Sequence, residues 1–294
     1  MKVVSFLDII PYLKSRSQLM EYRSFALSHG AHFGLRRGFE DDLNEYRNYV
    51  QGDDLRFLDW NLFARTDKYY IREGYQRSRQ NIFIWLDNSL SLKFSPEKYN
   101  TAWLLALSLG YLFRQQKDRV YLFAEDFQFE KNKNVVNLKS PADFIRLDKY
   151  FSEETIKKIK TKRNKNSFFS YFNEAGKYLK HSNKVIWITD FYVPIKEFEQ
   201  ILNETQKKGW KMSLVHLTQK DEWDWKKFKS GFLQKMVDVE TGTWISSNKI
   251  KNYPLIWEEA VKKRTRMLLA RNFIYRRGEV EAGPIHILGG MKGI

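Results

Sequence analysis

The stretch IFIWLDNSLSLKF, residues 82–94, ends an apolar run on Asp87 and then sets hydroxyls at Ser89 and Ser91. One carboxylate and two hydroxyls within five residues are hard oxygen donors, the kind that Mg²⁺ or Mn²⁺ prefers. An extended loop turns alternate residues the same way, so positions 87, 89 and 91 face one side. A second apolar run, KVIWITD (184–190), ends on Asp190. If the two runs are neighbouring strands, both acids meet outside the strands' carboxyl ends, where open α/β sheets collect ligands. The expected metal donors are then Asp87, Ser89, Ser91 and Asp190, with one coordination position left for an acidic group of a partner. The plainer reading of the same residues is turn chemistry, with Ser89 and Ser91 capping backbone N–H groups and Asp87 capping a helix.

The elements that must position these residues follow from the hydrophobic pattern. NIFIWLD (81–87) and KVIWITD (184–190) are continuous apolar runs of strand length, as in strands buried on both faces of a parallel sheet. Ser95-Pro96-Glu97 supplies an N-cap hydroxyl, a proline at the first helical position and an acid in the first turn. The pattern predicts a helix over 97–116. It continues with a strand at 119–125, a hairpin at 127–138, helices at 140–151, 170–179 and 194–209, and a strand at 211–218. Strand and helix alternation implies a doubly wound, mostly parallel α/β sheet with helices on both faces. We divide the chain into an N-terminal extension (1–78), the α/β domain (79–220), and a C-terminal hairpin, helix and strand (221–294) packed on the same domain.

Composition bounds the function classes. In 294 residues, 43% are apolar and 16% aromatic, ample for a packed core. The longest apolar run, WLLALSLGYLF (103–113), is interrupted by Ser108 and Gly110 and falls short of the roughly 18 residues of a membrane span. MKVVSFLDIIPYL carries Asp8 and Pro11 and lacks a small-residue cleavage site. The expectation is a cytoplasmic protein, with a peripheral association at the inner membrane as a variant. With no cysteine, thiolate metal sites and disulfides are excluded. The net charge of +16 is uneven: residues 157–184 hold nine Lys or Arg against one Glu, and KKRTRMLLARNFIYRR (262–277) holds seven basic residues and no acid. Such segments suit nucleic acid or an anionic membrane, or form an ordinary solvated surface. WDWKKFKSGF (223–232) interleaves aromatics with bases, as a single-strand-binding surface requires.

A third cluster, Asp53, Asp54, Arg56, Asp59, Trp60 and Arg65, lies upstream of the first strand. Its acids and arginines suit a buried ion-pair network packed beside Trp60, or a surface for docking a partner. At this point a family resemblance is evident. LDNSLS after a buried strand resembles the DxSxS signature of the metal-ion-dependent adhesion site of von Willebrand factor A domains, and ITD (188–190) resembles that family's later strand-end aspartate. GFEDDLNEYRNYVQGDDLRFLDWNLFARTDKYYIREG (38–74) resembles the bacterial von Willebrand A-like proteins known as domain of unknown function number fifty-eight, and DVETGTWI resembles their D-x-E-T-G turn. The resemblance covers most of residues 25–275. It implies a von Willebrand A fold and a Mg²⁺ site on Asp87, Ser89, Ser91 and Asp190. Where those domains carry a threonine, this chain offers Ser167 or Ser170 in KNSFFSYFNEAG. Similar proteins are associated with MoxR-type AAA+ ATPases, which implies such an ATPase as partner.

Three function classes follow. A non-enzymatic interaction or assembly factor uses the metal to dock an acidic residue of a partner protein. A Mg²⁺-dependent phosphohydrolase needs a second acid two residues after the strand-end Asp, and that position is Ser89. The five histidines fall in no catalytic spacing, and no GxxxxGK[ST] loop is present for ATP hydrolysis. Binding to nucleic acid or an anionic membrane through the basic segments is the third. The first is the expectation.

Overall fold

A computed structural model describes residues 5–26, 36–37, 44–76, 80–87, 89–124, 134–151, 168–177, 184–220, 236–237, 244–245 and 247–291. Ser167, the stretch 223–232 and the turn at 238–242 lie outside these residues. The chain divides into two compact units, Met20–Arg79 and Met1–Leu19 together with Gln80–Ile294. The first nineteen residues therefore join the sheet unit, whereas we assigned them to the N-terminal extension. The reason is local packing. Helix α1 (Phe6–Ala26) buries Phe6, Ile9 and Leu13, while Leu7 is 47% exposed. Phe6 stacks on Phe144 at 5.7 Å, and Asp148 accepts the Ser5 hydroxyl at 2.6 Å and the Phe6 N–H at 3.0 Å.

In the Met20–Arg79 unit, β1 (Arg36–Arg37), β2 (Asn44–Asn48) and β3 (Tyr70–Gln76) form an antiparallel sheet of order β1-β3-β2, and α2 (Trp60–Thr66) lies between β2 and β3 in sequence. The cluster read as a buried network or a docking surface is exposed or half-buried, and several of its contacts are local. Arg47 grips Asp53 through two bonds of 2.6 Å, and Asp53 also accepts the Val50 N–H. Arg56 pairs with Asp54 at 2.6 Å with side chains 83% and 41% exposed. Asp59 is the N-cap of α2, accepting the Leu62 N–H at 2.9 Å. Trp60 is 62% exposed, with its ring edge-on to Phe63, and Arg65 lies exposed in the last turn of α2. These residues occupy turns, where a carboxylate finds partners two to six residues away and has no need of burial.

The second unit is built on a six-stranded sheet of β4 (Asn81–Leu86), β5 (Arg119–Ala124), β6 (Val135–Asn137), β7 (Lys184–Thr189), β8 (Lys211–Thr218) and β11 (Ile274–Glu279), in the order β11-β8-β7-β4-β5-β6. The short pair β9 (Met236–Val237) and β10 (Trp244–Ile245) forms a separate antiparallel ladder. All six-stranded pairings are parallel except β5 with β6, so the fold is a mixed α/β, mostly parallel sheet flanked by helices. The flanking helices are α3 (Leu90–Phe94), α4 (Pro96–Gln115), α5 (Pro141–Tyr150), α6 (Phe168–Gly176), α7 (Ile195–Lys207), α8 (Ser247–Leu269) and α9 (Gly283–Gly290). Five of the six residues of β4 are buried, as a strand covered on both faces requires. On one face Trp85 stacks on Trp187 at 4.4 Å, with Phe172 of α6 and Phe198 of α7 against them. On the other, α4 approaches so closely at Gly110 that a Cβ there would stand 2.8 Å from Leu138 and 3.7 Å from Ile84. The glycine that interrupts the apolar run thus seats the helix. Among the described residues, no helix is long and apolar enough to cross a membrane.

Candidate functional site

β4 and β7 are hydrogen-bonded neighbours with Leu86 opposite Ile188, so Asp87 and Asp190 follow adjacent strands at the same end. From β4 the chain crosses to β5 on one side, and from β7 to β8 on the other. Their shared rim is therefore the switch point of the sheet, the place where open α/β folds form their ligand crevice. Asp87 is 0% and Asp190 1% exposed.

Asp87 Oδ1 accepts the Ser89 N–H at 2.8 Å, and Oδ2 accepts the Thr189 hydroxyl at 2.5 Å. The Ser91 hydroxyl donates to Ser89 Oγ at 3.1 Å. Ser89 Oγ also accepts the Leu92 N–H at 3.4 Å, as the N-cap of α3. Residues 87, 89 and 91 thus gather their oxygens at one place while Ser89 caps a helix. We read 90–94 as loop, because a five-residue helix leaves no hydrophobic period to detect.

Asp190 is held from the other direction. Its Oδ2 accepts from Lys98 Nζ at 3.0 Å, both side chains being almost wholly buried, and its Oδ1 accepts the Tyr192 N–H at 3.4 Å. Lys98 comes from the first turn of α4, where Ser95 is the N-cap and Pro96 the first helical residue. Phe191, buried with a φ of 74°, turns the chain after Asp190, in a region that costs a non-glycine residue energy. Its ring offsets that cost by packing on His216 at 4.8 Å, Phe198 at 5.4 Å and Tyr275 at 5.7 Å.

The electrostatics follow from burying two acids side by side. Burial first, and then the Asp190 charge, push the Asp87 carboxyl up to about 7, against the Thr189 and Ser89 hydrogen bonds that favour its ionised form. His216 follows Thr189 across the ladder and pairs through Nδ1 with the Tyr275 hydroxyl at 2.8 Å. Burial, with the Lys98 and Arg277 charges, lowers its pKa to about 3, so the imidazole stays neutral beside the ammonium.

The four leading residues named from sequence come together at this rim. Ser170 lies exposed on α6, and the Asp53 to Arg65 series belongs to the other unit. Sequence reading missed Lys98, Thr189 and His216. Thr189 carried a signal, a hydroxyl beside the strand-end acid, and it stands on Asp87 where we looked to an intervening serine. Lys98 carried another: a cation in a helix's first turn opposes the helix dipole, so it needs a local reason. The Asp87 and Ser91 oxygens retain lone pairs for a hard divalent cation beyond the bonds described, whereas Ser89 Oγ, which accepts from both the Ser91 hydroxyl and the Leu92 N–H, has to release one of these to bind it. Among the described residues, no group of three or more His, Cys, Asp or Glu side chains could hold a metal, so a cation here would need hydroxyls and water besides the carboxylates.

The family model described as "Protein of unknown function DUF58" matches residues 45–246, which take in both acids and both serines. Uncharacterized proteins of Mycobacterium bovis and Mycobacterium tuberculosis are 33% identical over 87 residues, 29% of this chain and 27% of theirs. The chain thus matches about a quarter of the length of these curated relatives. Among solved structures, the conserved hypothetical protein BatB from Bacteroides thetaiotaomicron is similar at a TM-score of 0.38 and 15% identity, over 72% of this chain and 98% of that one. An aerotolerance-related membrane protein from Bacteroides fragilis gives a TM-score of 0.37 at 15% identity, over 71% and 99%.

Proposed function

Given that this chain belongs to the DUF58 family, we propose that it is a non-enzymatic interaction or assembly module of von Willebrand A type. Its rim crevice takes Mg²⁺ or Mn²⁺ on Asp87, Ser89 and Ser91, with Asp190 beside them, and offers the cation to an acidic side chain of a partner protein. A MoxR-type AAA+ ATPase is the partner that the family resemblance implies. The observation that carries the reading is the meeting of two buried carboxylates and a hydroxyl pair at the switch point of a parallel sheet. Two acids buried together call for positive charge, and the hydroxyls beside them are donors a hard cation accepts. When bound, the cation supplies a Lewis-acidic position for one carboxylate ligand. Thr189 and the Ser89 N–H hold Asp87 in place for it, and the capping bond of Ser89 fixes the second donor.

Two described residues at this rim support the non-enzymatic reading. The position two residues after Asp87, where a phosphatase of the haloacid-dehalogenase type keeps its acid, is Ser89, and His216 is neutral and tied to Tyr275. Calorimetric titration with Mn²⁺ tests the proposal. Wild type should give saturable heat and Asp87→Ala none, and equal heats from the two would remove the cation from the reading.

A further inference from the structure

Lys98 is placed against its local interest. It occupies the first turn of α4, where the helix's own N–H groups already present partial positive charge, and its side chain is 1% exposed. An ammonium so placed is stable only with an anion against it, and Asp190, itself buried, stands at 3.0 Å. Lys98 Nζ also lies 5.8 Å from the centre of the Tyr192 ring, which is stacked at 4.0 Å on Trp257 of α8. The ammonium therefore has a second resting place, a fixed aromatic face beside the carboxylate it holds.

We infer that Lys98 is a tethered counter-ion that competes with a divalent cation for Asp190, so that the ammonium holds the acid while the crevice lacks metal and yields it when metal enters. The inference rests on the cation site proposed above. Charge arithmetic supports it. With both carboxylates ionised, the state that a bound cation requires, two carboxylates and one ammonium sum to one negative charge; a divalent ion turns that into one positive charge, matched to a single acidic ligand. Wild-type affinity for metal is then set below what the oxygens alone would give, because the ion must displace the ammonium and bear its repulsion.

The test is Mn²⁺ calorimetry and thermal unfolding on the full chain as wild type, Lys98→Met and Asp87→Ala. The expected result is that Lys98→Met binds Mn²⁺ about tenfold or more tightly than wild type. It should also melt lower than wild type in EDTA and gain more Tm from Mn²⁺. A wild type with weak but saturable heat beside a tighter Lys98→Met variant supports the inference equally. Should wild type bind and Lys98→Met bind no better, the competition is overturned while the cation site stands. Should neither bind, both fall. If Lys98→Met does not fold, Lys98→Gln, which keeps a hydrogen-bond donor without the charge, carries the same comparison.

Discussion

Two acid–base pairs of nearly equal length sit in opposite settings. Arg56 and Asp54 meet at 2.6 Å with side chains 83% and 41% exposed, two residues apart in a turn. Lys98 and Asp190 meet at 3.0 Å with side chains 1% and 0% exposed, 92 residues apart in the chain. The first pair is screened by water and adds little, although the Arg56 guanidinium still draws the Asp54 carboxyl below its ordinary value. The second pair gave up the hydration of both ions, and each compensates the other's buried charge. Distance therefore says little about what a pair is worth, and its surroundings say nearly everything.

Breaking the buried pair should have the largest effect. Asp190→Ala leaves the Lys98 ammonium without this carboxylate and should cost about 3–5 kcal/mol in urea unfolding. Next comes Asp87, whose folded carboxyl titrates near 7 against 3.8 when free. A raised pKa gives stability that is fully present below about pH 4 and lost as pH rises through 7. In EDTA, Asp87→Asn should therefore gain on wild type as pH goes from 4 to 8, by up to about a few kcal/mol; a difference flat with pH would show the acid is not held neutral. The half-buried fork between Arg47 and Asp53 lies between the extremes, and Arg47→Ala should cost about 1 kcal/mol or less. Arg56→Ala should leave Tm within about 2 °C of wild type, and a larger drop would restore the buried network that the structure replaces with surface pairs. A MoxR-type ATPase added to immobilised protein should be retained in Mg²⁺ and released by EDTA, and Asp87→Ala should retain none.

The same two pairs show what a sequence discloses. GDDLR displays its charges side by side, so the cluster was visible, but charge identity carries no information about exposure, and it reads as either a buried network or a docking surface. Lys98 and Asp190 were invisible as a pair, because nothing local joins residues 92 apart, and a lone lysine in a helix reads as solvated. Asp87 and Asp190 were legible because each ends a run of apolar residues, and parallel strands bring such ends to one rim. The strands themselves were legible for the same reason, since burial on both faces writes an unbroken apolar run. The strand order was not, because pairing partners such as Ile84 and Ile186 are chosen by packing across a hundred residues. Phe191 was equally hidden: an aromatic residue at positive φ follows no propensity, and its conformation is held by His216, Phe198 and Tyr275 from three other elements.

The most direct test of the cation crevice is anomalous diffraction from crystals of the wild-type chain grown in Mn²⁺. The account predicts a peak about 2.1 Å from an Asp87 carboxylate oxygen and from the hydroxyls of Ser89 and Ser91, with Lys98 Nζ drawn off Asp190. A crevice without a peak at saturating Mn²⁺, with Lys98 still on Asp190, would contradict it.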